Sequence, residues 1–459
     1  MKYEPTRKSI KQHKVPDWFH DAKFGIFIHW GLFSIPAFAV TGLNLIESEK
    51  RGPEVHFKNN PYAEWYLNSL RIEGSPTQEY HREVFGDNFS YDDFIDIFNE
   101  EIKKWNPSEW AELFKQVGAK YVVLVTKHHD GFLLWPSKFK NPKKENYQAS
   151  RDIVGELSKE VRKLGMRFGV YYSGVLDWSF NPEPIKDDIS FLENHLRTPE
   201  YIEYANNHWY ELIDKYEPKI LWNDIGYVPT NAYKIVAYYY NKVPDGIIND
   251  RWMQMKMEGE NFRKIHHRDF FTPEYEIYDQ IIKKKWETSR GVGNSYGFNR
   301  METEEHYLKS SDLIKMIIDV VSKNGNLLLN FGPRADGSIP DLQKKAALGL
   351  GKWLEINGEA IYGTRPWIRA EGKTIDNIEV RFTKKVNSLF MTLLEKPKAR
   401  EIIIKSLLIN ANSKIQLLGY RNRIAWSQIE NNLSLEIPKD FFDSPAYTFK
   451  ISPIPNHKD

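Results

Sequence analysis

Short apolar runs recur eight times between residues 24 and 331, and nearly all of them end in polar side chains. The runs are continuous rather than alternating, which is typical of parallel strands that are buried on both faces. They begin at Phe24, Tyr121, Arg167, Ile220, Gly246, Asp269, Lys285 and Asn326. Polar residues at the carboxyl ends of such strands form the active site of a (β/α)8 barrel. We therefore predict an α/β barrel of this kind, with its chemistry at those strand ends.

Helical patterns separate these runs at residues 106–118, 151–165 and 310–322. In 151–165 the apolar residues recur three and four apart, and the pattern stops at Gly165, as expected for an amphipathic helix. Each of the three patterns leads into the next apolar run, which is the alternation of parallel βα units. The segment 31–106 breaks this alternation, and we interpret it as an insertion that builds the rim of the active site.

The pattern changes after Gly358, where helical spacing gives way to short alternating segments. These segments are 379–383, 388–394, 401–404, 414–418 and 433–437. Turn residues separate them at short intervals, which is typical of an antiparallel β-sandwich. We place a boundary near Pro366–Lys373. The sequence therefore predicts a (β/α)8-like catalytic domain at residues 1–368 and a smaller C-terminal β-sandwich domain at residues 369–459.

Composition narrows the function classes. The chain carries 64 basic and 62 acidic side chains, so no field of one sign favours nucleic acid or an anionic membrane as a partner. It has no cysteine, which excludes disulfides, thiolate metal sites and a cysteine nucleophile. No run approaches the roughly 18 apolar residues of a membrane helix, and the N-terminus does not read as a signal peptide. We expect a cytoplasmic protein, and the C-terminal sandwich is compatible with a homo-oligomer.

Two acidic residues are candidates for nucleophilic or acid–base chemistry. Asp224 ends an apolar run that should be buried. A carboxylate there requires hydrogen-bond or ion-pair partners or has a functional role, although Asp224 could simply cap the next helix. Glu274 follows Pro273 and suits either a general acid in apolar surroundings or a solvated loop residue. Its rivals nearby are Asp269, Glu276, Glu258 and Glu260.

Histidines follow the run that starts at Tyr121. His128 and His129 are adjacent, so in a regular strand they would face opposite sides, and both reach one site only where the strand ends. They suit recognition of sugar hydroxyl groups, a metal site shared with His29, or plain packing.

Aromatic residues and one arginine complete the set of candidates. Arg251 could hold a nucleophile or a substrate hydroxyl group, or pair with Asp250. The aromatic rings suit either the wall of a sugar pocket or the core, and they are Trp30, Trp65, Tyr171, Trp222 and Trp286.

Several motifs, in the same order along the chain, resemble those of the α-L-fucosidases of glycoside hydrolase family 29. They are Phe24–Gly31, Glu64–Tyr66, Lys127–Phe132, Leu221–Asp224, Thr272–Glu274, Gly325–Pro333 and Asn357–Thr364. The resemblance is strong over residues 15–370 and looser towards the C-terminus. It implies a retaining exo-glycosidase that removes terminal α-L-fucose through a covalent fucosyl-enzyme intermediate. It also implies a fucosylated glycan or glycoside as the substrate, and no cofactor or metal.

The resemblance further implies roles at the matching positions. Asp224 is similar to the family's nucleophile and Glu274 to its acid/base, with Glu64 as the alternative because the acid/base is the family's least fixed position. The substrate-binding residues that the resemblance implies are His29, Glu64, Trp65, His128, His129, Tyr171, Trp222 and Arg251.

Two other classes of function remain alternatives at this point. One is a metal-dependent hydrolase built on His29, His128 and His129. The other is a non-catalytic sugar-binding barrel, although a binding protein has no use for a pair of candidate catalytic carboxylates.

Overall fold

The computed structural model of the protein describes residues 2–42, 45–252, 267–438 and 442–455. Seven parallel strands form one sheet in the order β5-β4-β3-β2-β1-β7-β6. Their bounds are β1 Phe24–Ile28, β2 Tyr121–Lys127, β3 Arg167–Ser173, β4 Ile220–Asp224, β5 Ile247–Ile248, β6 Trp286–Gly291 and β7 Gly325–Phe331. The predicted α/β barrel-like fold is confirmed.

Burial on both faces explains the continuous apolar runs. Every residue of β1, β4 and β7 is buried. In β2, Val123 and Val125 belong to the cluster inside the curled sheet, whereas Val122 and Leu124 pack in the larger cluster that includes the surrounding helices. Side chains of a strand alternate between its faces, so a strand with apolar neighbours on both sides needs no polar positions.

The predicted sixth run does not form a regular strand. Phe271 and Glu274 make only isolated parallel bridges, to Trp286 and Ser289 of β6. On the other side, the Asp269 amide donates to the Ile248 carbonyl at 3.0 Å. The Asp269 carboxylate also accepts a hydrogen bond from the Ile248 amide, at 2.8 Å. Pro273 has no N–H with which to continue strand pairing. The expectation of eight regular strands is therefore wrong here, and an irregular segment lies between β5 and β6.

Helices surround the sheet. Their bounds are α1 Arg7–Ile10, α2 Asp17–Ala22, α3 Leu45–Lys50, α4 Pro53–Lys58, α5 Tyr66–Arg71, α6 Pro76–Phe85, α7 Phe94–Glu101, α8 Pro107–Gln116, α9 Ile153–Lys163, α10 Asp188–Glu193, α11 Pro199–Tyr216, α12 Pro229–Lys242, α13 Ser310–Ser322 and α14 Asp341–Asn357. The three predicted helices are α8, α9 and α13. The side chains of Asn106 and Asp152 cap the first turns of α8 and α9. Helices α3 to α7 lie in the predicted insertion.

The C-terminal part consists of antiparallel strands. They are β8 Arg365–Lys373, β9 Glu379–Lys385, β10 Ser388–Leu393, β11 Glu401–Ile404, β12 Lys414–Leu417, β13 Trp426–Ile429, β14 Asn432–Glu436 and β15 Tyr447–Ser452. They form a five-stranded sheet, β12-β15-β10-β9-β8, and a three-stranded sheet, β11-β14-β13. Phe382 and Leu389 of one sheet share a core with Ile402 and Leu433 of the other, so the predicted sandwich is present. The sequence patterns missed β8, β13 and β15.

The predicted domain boundary lies inside β8, and the division at residue 368 stays a prediction. Side chains connect the two parts of the chain. Arg381 of β9 pairs with Asp319 of α13, and Lys323 pairs with both Asp319 and Glu371 at 3.0 Å.

Among the residues described, none of the helices has the length and hydropathy required to cross a membrane.

Candidate active site

A cavity of about 530 Å³ opens at the carboxyl ends of the parallel strands. This is the face where barrels place their chemistry. All ten residues predicted for the site line this cavity, namely His29, Glu64, Trp65, His128, His129, Tyr171, Trp222, Asp224, Arg251 and Glu274. Residues that are far apart in the sequence are thus brought to one surface.

Asp224 is the last residue of β4 and is 8% exposed. The hydroxyl group of Tyr171, from the neighbouring strand β3, donates to Asp224 Oδ2 at 2.8 Å. The chain leaves the strand at Ile225 with φ of 59°, an unusual conformation for a β-branched residue, and its amide donates to Asp224 Oδ1 at 3.0 Å. Two donors from different elements therefore hold this carboxylate in one orientation.

Arg251 connects the two candidate catalytic carboxylates. Its Nη1 donates to Asp224 Oδ1 at 3.1 Å, and its Nη2 donates to Glu274 Oε2 at 3.0 Å. The guanidinium carbon lies 4.7 Å from the ring centre of Trp222. The alternative pairing of Arg251 with Asp250 is wrong, because Asp250 accepts instead from the Thr272 amide and hydroxyl group.

The charge state of Asp224 follows from these contacts. Burial by itself would raise the pKa of the Asp224 carboxyl, but the Arg251 guanidinium and the Tyr171 hydroxyl group outweigh burial and hold the pKa below its usual value. Asp224 is therefore ionised at neutral pH. The pKa of Arg251 is raised despite its burial, because it faces both carboxylates.

The three histidines at the inner end of the cavity, His29, His128 and His129, are neutral. Burial lowers the pKa of His29 to about 4 and that of His129 to about 3, and it lowers the pKa of His128 well below its usual value. His29 Nδ1 lies 2.6 Å from Asn330 Oδ1, and His129 Nδ1 lies 2.7 Å from Ser173 Oγ. His128 Nδ1 has no hydrogen-bond partner among the described residues.

Glu64 is a second buried carboxyl in the cavity and is 2% exposed. It accepts from the Gly297 amide at 2.7 Å. Burial raises the pKa of Glu64 to about 8, more than the hydrogen bond from Gly297 lowers it. Glu64 is therefore protonated at neutral pH, whereas Asp224 is charged, so the two carboxyls have different environments in one cavity.

Some cavity residues carried no signal in the sequence. Tyr62, whose hydroxyl group donates to Glu274 at 3.3 Å, lies in the insertion before α5. Glu49, His56 and Phe57 come from α3 and α4, and the structure adds Phe27, Pro53, Asn60, Asp188, Phe191, Ile225, Ser289 and Tyr296. The helices of an insertion follow no strand–helix rhythm, so sequence spacing does not show which of their side chains reach the site.

Some residues proposed as sugar walls or carboxyl candidates lie elsewhere. Trp30 packs against Phe98, Trp105 and Trp110, and Trp286 begins β6, at the end away from the cavity. These two tryptophans belong to the core. Asp269 binds His13 and Tyr240 instead of lining the cavity, and Glu276 is not among the lining residues either. Glu258 and Glu260 lie outside the described residues.

A metal-binding arrangement occurs away from the cavity. In the part of the chain that the structure describes, the candidate ligand atoms that lie within 4.8 Å of one another belong to His13, His267 and Asp269. His29, His128 and His129 do not form such a group there, which speaks against the hydrolase that would use them to bind a metal.

Comparison with known proteins identifies the family. The family model described as alpha-L-fucosidase matches residues 1–359, and the model of the alpha-L-fucosidase C-terminal domain matches residues 374–452. The chain belongs to the α-L-fucosidase family. The family inferred from the motifs is confirmed, and the protein is a glycoside hydrolase. The sugar-binding and metal-dependent alternatives are not favoured.

Individual α-L-fucosidases match nearly the whole chain. The human tissue alpha-L-fucosidase is 32% identical over 452 residues, which are 95% of this chain and 88% of that protein. A crystal structure of the Thermotoga maritima alpha-fucosidase with a mechanism-based inhibitor is 44% identical, with a TM-score of 0.88 over 98% of this chain and all of that chain. An alpha-L-fucosynthase from the same organism, in which one aspartate is replaced by glycine, has the same identity and TM-score, over 98% of this chain and 99% of its own.

Proposed function

We propose that Asp224 is the nucleophile and Glu274 the acid/base with which this α-L-fucosidase hydrolyses terminal α-L-fucosides with retention of configuration. The observation that carries the proposal is the single Arg251 guanidinium that contacts both carboxylates. A retaining glycosidase needs one carboxylate on each side of the scissile bond, close enough to act on the same sugar carbon.

The reaction would proceed in two steps. Glu274 gives its proton to the glycosidic oxygen while Asp224 attacks the anomeric carbon, so the leaving group departs as an alcohol and a fucosyl ester of Asp224 forms. Glu274, now ionised, takes a proton from water, and the resulting hydroxide breaks the ester bond at the anomeric carbon. Fucose is released, Asp224 is again a carboxylate and Glu274 is again protonated. Arg251 supports both steps, because it stabilises the Asp224 carboxylate that attacks in the first step and departs in the second.

Glu64 is the alternative acid/base. Its raised pKa, about 8, suits a proton donor, but its contacts are with the Gly297 amide and the Ser295 hydroxyl group rather than with Arg251. We favour Glu274 because it shares Arg251 with the nucleophile. Glu64 then acts as a neutral hydrogen-bonding group of the pocket, together with the uncharged imidazoles of His29, His128 and His129.

Leaving-group dependence separates Glu274 from Glu64. A good leaving group needs little protonation, so loss of the acid should damage turnover of an alkyl fucoside much more than turnover of a dinitrophenyl fucoside. We expect this pattern for Glu274→Ala, with added azide accelerating the dinitrophenyl reaction. Glu64→Ala should lower turnover of both substrates by a similar factor. If Glu64→Ala showed the leaving-group-dependent loss and Glu274→Ala the uniform loss, Glu64 would be the acid/base.

The substrate itself is tested by release of a chromogenic aryl group from an α-L-fucoside, beside an α-L-galactoside and a β-D-galactoside. Fucose is 6-deoxy-L-galactose, and a pocket that accepts the methyl group discriminates against the added hydroxyl group only moderately. Chelator-insensitive release that is fastest from the fucoside is expected. No release from any of the three would contradict the proposed activity. The cytoplasmic location and the homo-oligomer stay predictions.

A further inference from the structure

The cavity is larger than the group of residues that surrounds the candidate carboxylates. At about 530 Å³ it lies within the roughly 300–1,000 Å³ of pockets that enclose drug-sized ligands, and a single deoxyhexose is smaller than such a ligand. The additional lining comes from α3, α4 and α10. We call these residues the outer wall, and they are Glu49, His56, Phe57, Asp188 and Phe191.

Aromatic rings join the outer wall to the inner part of the cavity. The Trp65 ring lies 5.4 Å from the His129 ring and 5.9 Å from the Phe57 ring. The Phe57 and Phe191 rings are 6.4 Å apart and nearly parallel, at 21°. Because a pyranose carries C–H groups on its faces, a continuous aromatic surface suits a second ring placed next to the fucosyl group.

The charge of the outer wall has one sign. Glu49 and Asp188 contribute exposed carboxylates. His56 is neutral, because burial lowers its pKa. Arg251 is the one guanidinium or ammonium group among the described residues that line the cavity, and it already contacts Asp224 and Glu274. An anionic group that entered the outer part would therefore meet two carboxylates and no free cation of the lining.

We propose that the outer wall is the binding site for the aglycone, and that it accepts an uncharged pyranose and disfavours sugars with a carboxylate or sulfate. Trp65, Phe57 and Phe191 supply the surface on which the second ring packs, and Glu49 and Asp188 supply acceptors for its hydroxyl groups. This inference rests on the proposed function, since it assumes that the fucosyl group occupies the inner part of the cavity.

The first experiment measures the packing surface. For the best-cleaved disaccharide among α-1,2-, α-1,3-, α-1,4- and α-1,6-linked fucosyl sugars, kcat/KM is compared with the inhibition constant of free fucose, which fills only the inner part. In Phe57→Ala and Phe191→Ala, kcat/KM should fall roughly three- to ten-fold more than fucose affinity does. Ile189→Ala is the matched control, because Ile189 is 62% exposed on α10 and does not line the cavity.

The second experiment measures charge selection with two aryl fucosides of the same shape, 4-carbamoylphenyl and 4-carboxyphenyl α-L-fucoside. The preference of the wild type for the uncharged compound should shrink about two- to five-fold in the double variant Glu49→Gln/Asp188→Asn, and it should also shrink in high salt. Any effect of Glu49 on Glu274 acts on both compounds and cancels in the ratio. Glu54→Gln on α4 is the control, since Glu54 is exposed and does not line the cavity.

The outcomes separate this inference from the proposed function. Equal losses for disaccharide turnover and fucose binding, or a charge preference that the double variant keeps, would overturn the aglycone site. Hydrolysis of aryl fucosides but of none of the disaccharides would overturn it as well. An enzyme that releases fucose from no substrate would instead contradict the proposed function.

Discussion

At the scale of single residues, Arg251 and burial set the charge states of the carboxyls in the cavity. The charge of Arg251 opposes the effect of burial on the pKa of Asp224. Glu64 has no ion-pair partner among the residues that the structure describes, and burial raises its pKa to about 8. Carboxyls that differ in this way are what a glycosidase pocket requires, because one must attack as an anion and others must donate hydrogen bonds.

Asp224→Ala should abolish nearly all turnover, by about a thousand-fold or more, because it removes the proposed nucleophile. Azide fits the space that the carboxylate leaves and approaches the anomeric carbon from the same face. We therefore expect fucosyl azide of inverted configuration, detected by NMR, when azide is added. A variant with near-normal turnover would remove Asp224 from the mechanism.

Glu64 should make stability dependent on pH. Its pKa is raised in the folded state to about 8 from 4.5, so its contribution to stability is fully present below pH 4.5 and is lost as the pH rises through 8. Between these values the wild type should lose up to about 1.4 kcal/mol per pH unit relative to Glu64→Gln, which cannot ionise. Urea denaturation of both proteins across this range measures the difference. Parallel curves for the two would show that Glu64 titrates normally.

At the scale of elements, the segment after β5 shows how side chains can replace strand pairing. The Asp269 carboxylate accepts from the Ile248 amide at 2.8 Å, from the Tyr240 hydroxyl group at 2.7 Å, and lies 2.8 Å from His13 Nδ1. One carboxylate thus joins the N-terminal segment, α12 and β5. Sequence periodicity predicted a strand here because it registers the apolar residues but not the hydrogen bonds that this carboxylate takes.

Asp269→Ala should reduce the free energy of unfolding by about 3–5 kcal/mol, because it leaves the buried Ile248 amide and the His13 imidazole without the Asp269 carboxylate and leaves the Tyr240 hydroxyl group with only His267. Chemical denaturation is the measurement. Asp279→Ala, which removes an exposed carboxylate from the same connection, is the control and should change stability by less than about 0.5 kcal/mol. Equal stability of the two variants would contradict the structural role of Asp269.

At the scale of the whole molecule, ion pairs and packing join the sandwich to the barrel. Arg381 of β9, whose side chain is 10% exposed, contacts Asp319 of α13 and also Glu379. Trp353 of α14 donates to the Ala446 carbonyl at 3.1 Å, and Leu394 belongs to the same core cluster as the barrel helices. The sandwich therefore packs on α13 and α14, and none of the residues that line the cavity belongs to these helices or to the sandwich.

Arg381→Ala should weaken this contact and cost roughly 2–4 kcal/mol, since it leaves the carboxylates of α13 and β9 less well paired. In calorimetry we expect a lower melting temperature. The kcat/KM on an aryl fucoside at 25 °C should change little, because neither Arg381 nor its partners line the cavity. Arg421→Ala, at an exposed position of the sandwich, is the control. A large loss of kcat/KM without loss of stability would contradict this account.

The sequence by itself determined the parallel sheet, the sandwich and the identity of the residues at the strand ends. Asp224 and His128 could be found in this way because burial on both faces requires a continuous apolar run. A polar residue at the end of such a run is then easily identified. Motifs in a fixed order added Glu64 to the candidates and singled out Glu274 among its rivals.

Only the tertiary structure decided which residues share a surface. It placed Phe57 and Asp188 in the cavity and Trp30 in the core. It also showed that Arg251 pairs with Asp224 and Glu274 rather than with Asp250. The physical reason is that periodicity shows only which face of a helix or strand is buried. Contacts between loops, the burial of single side chains and the resulting pKa values depend on the packing of the whole chain.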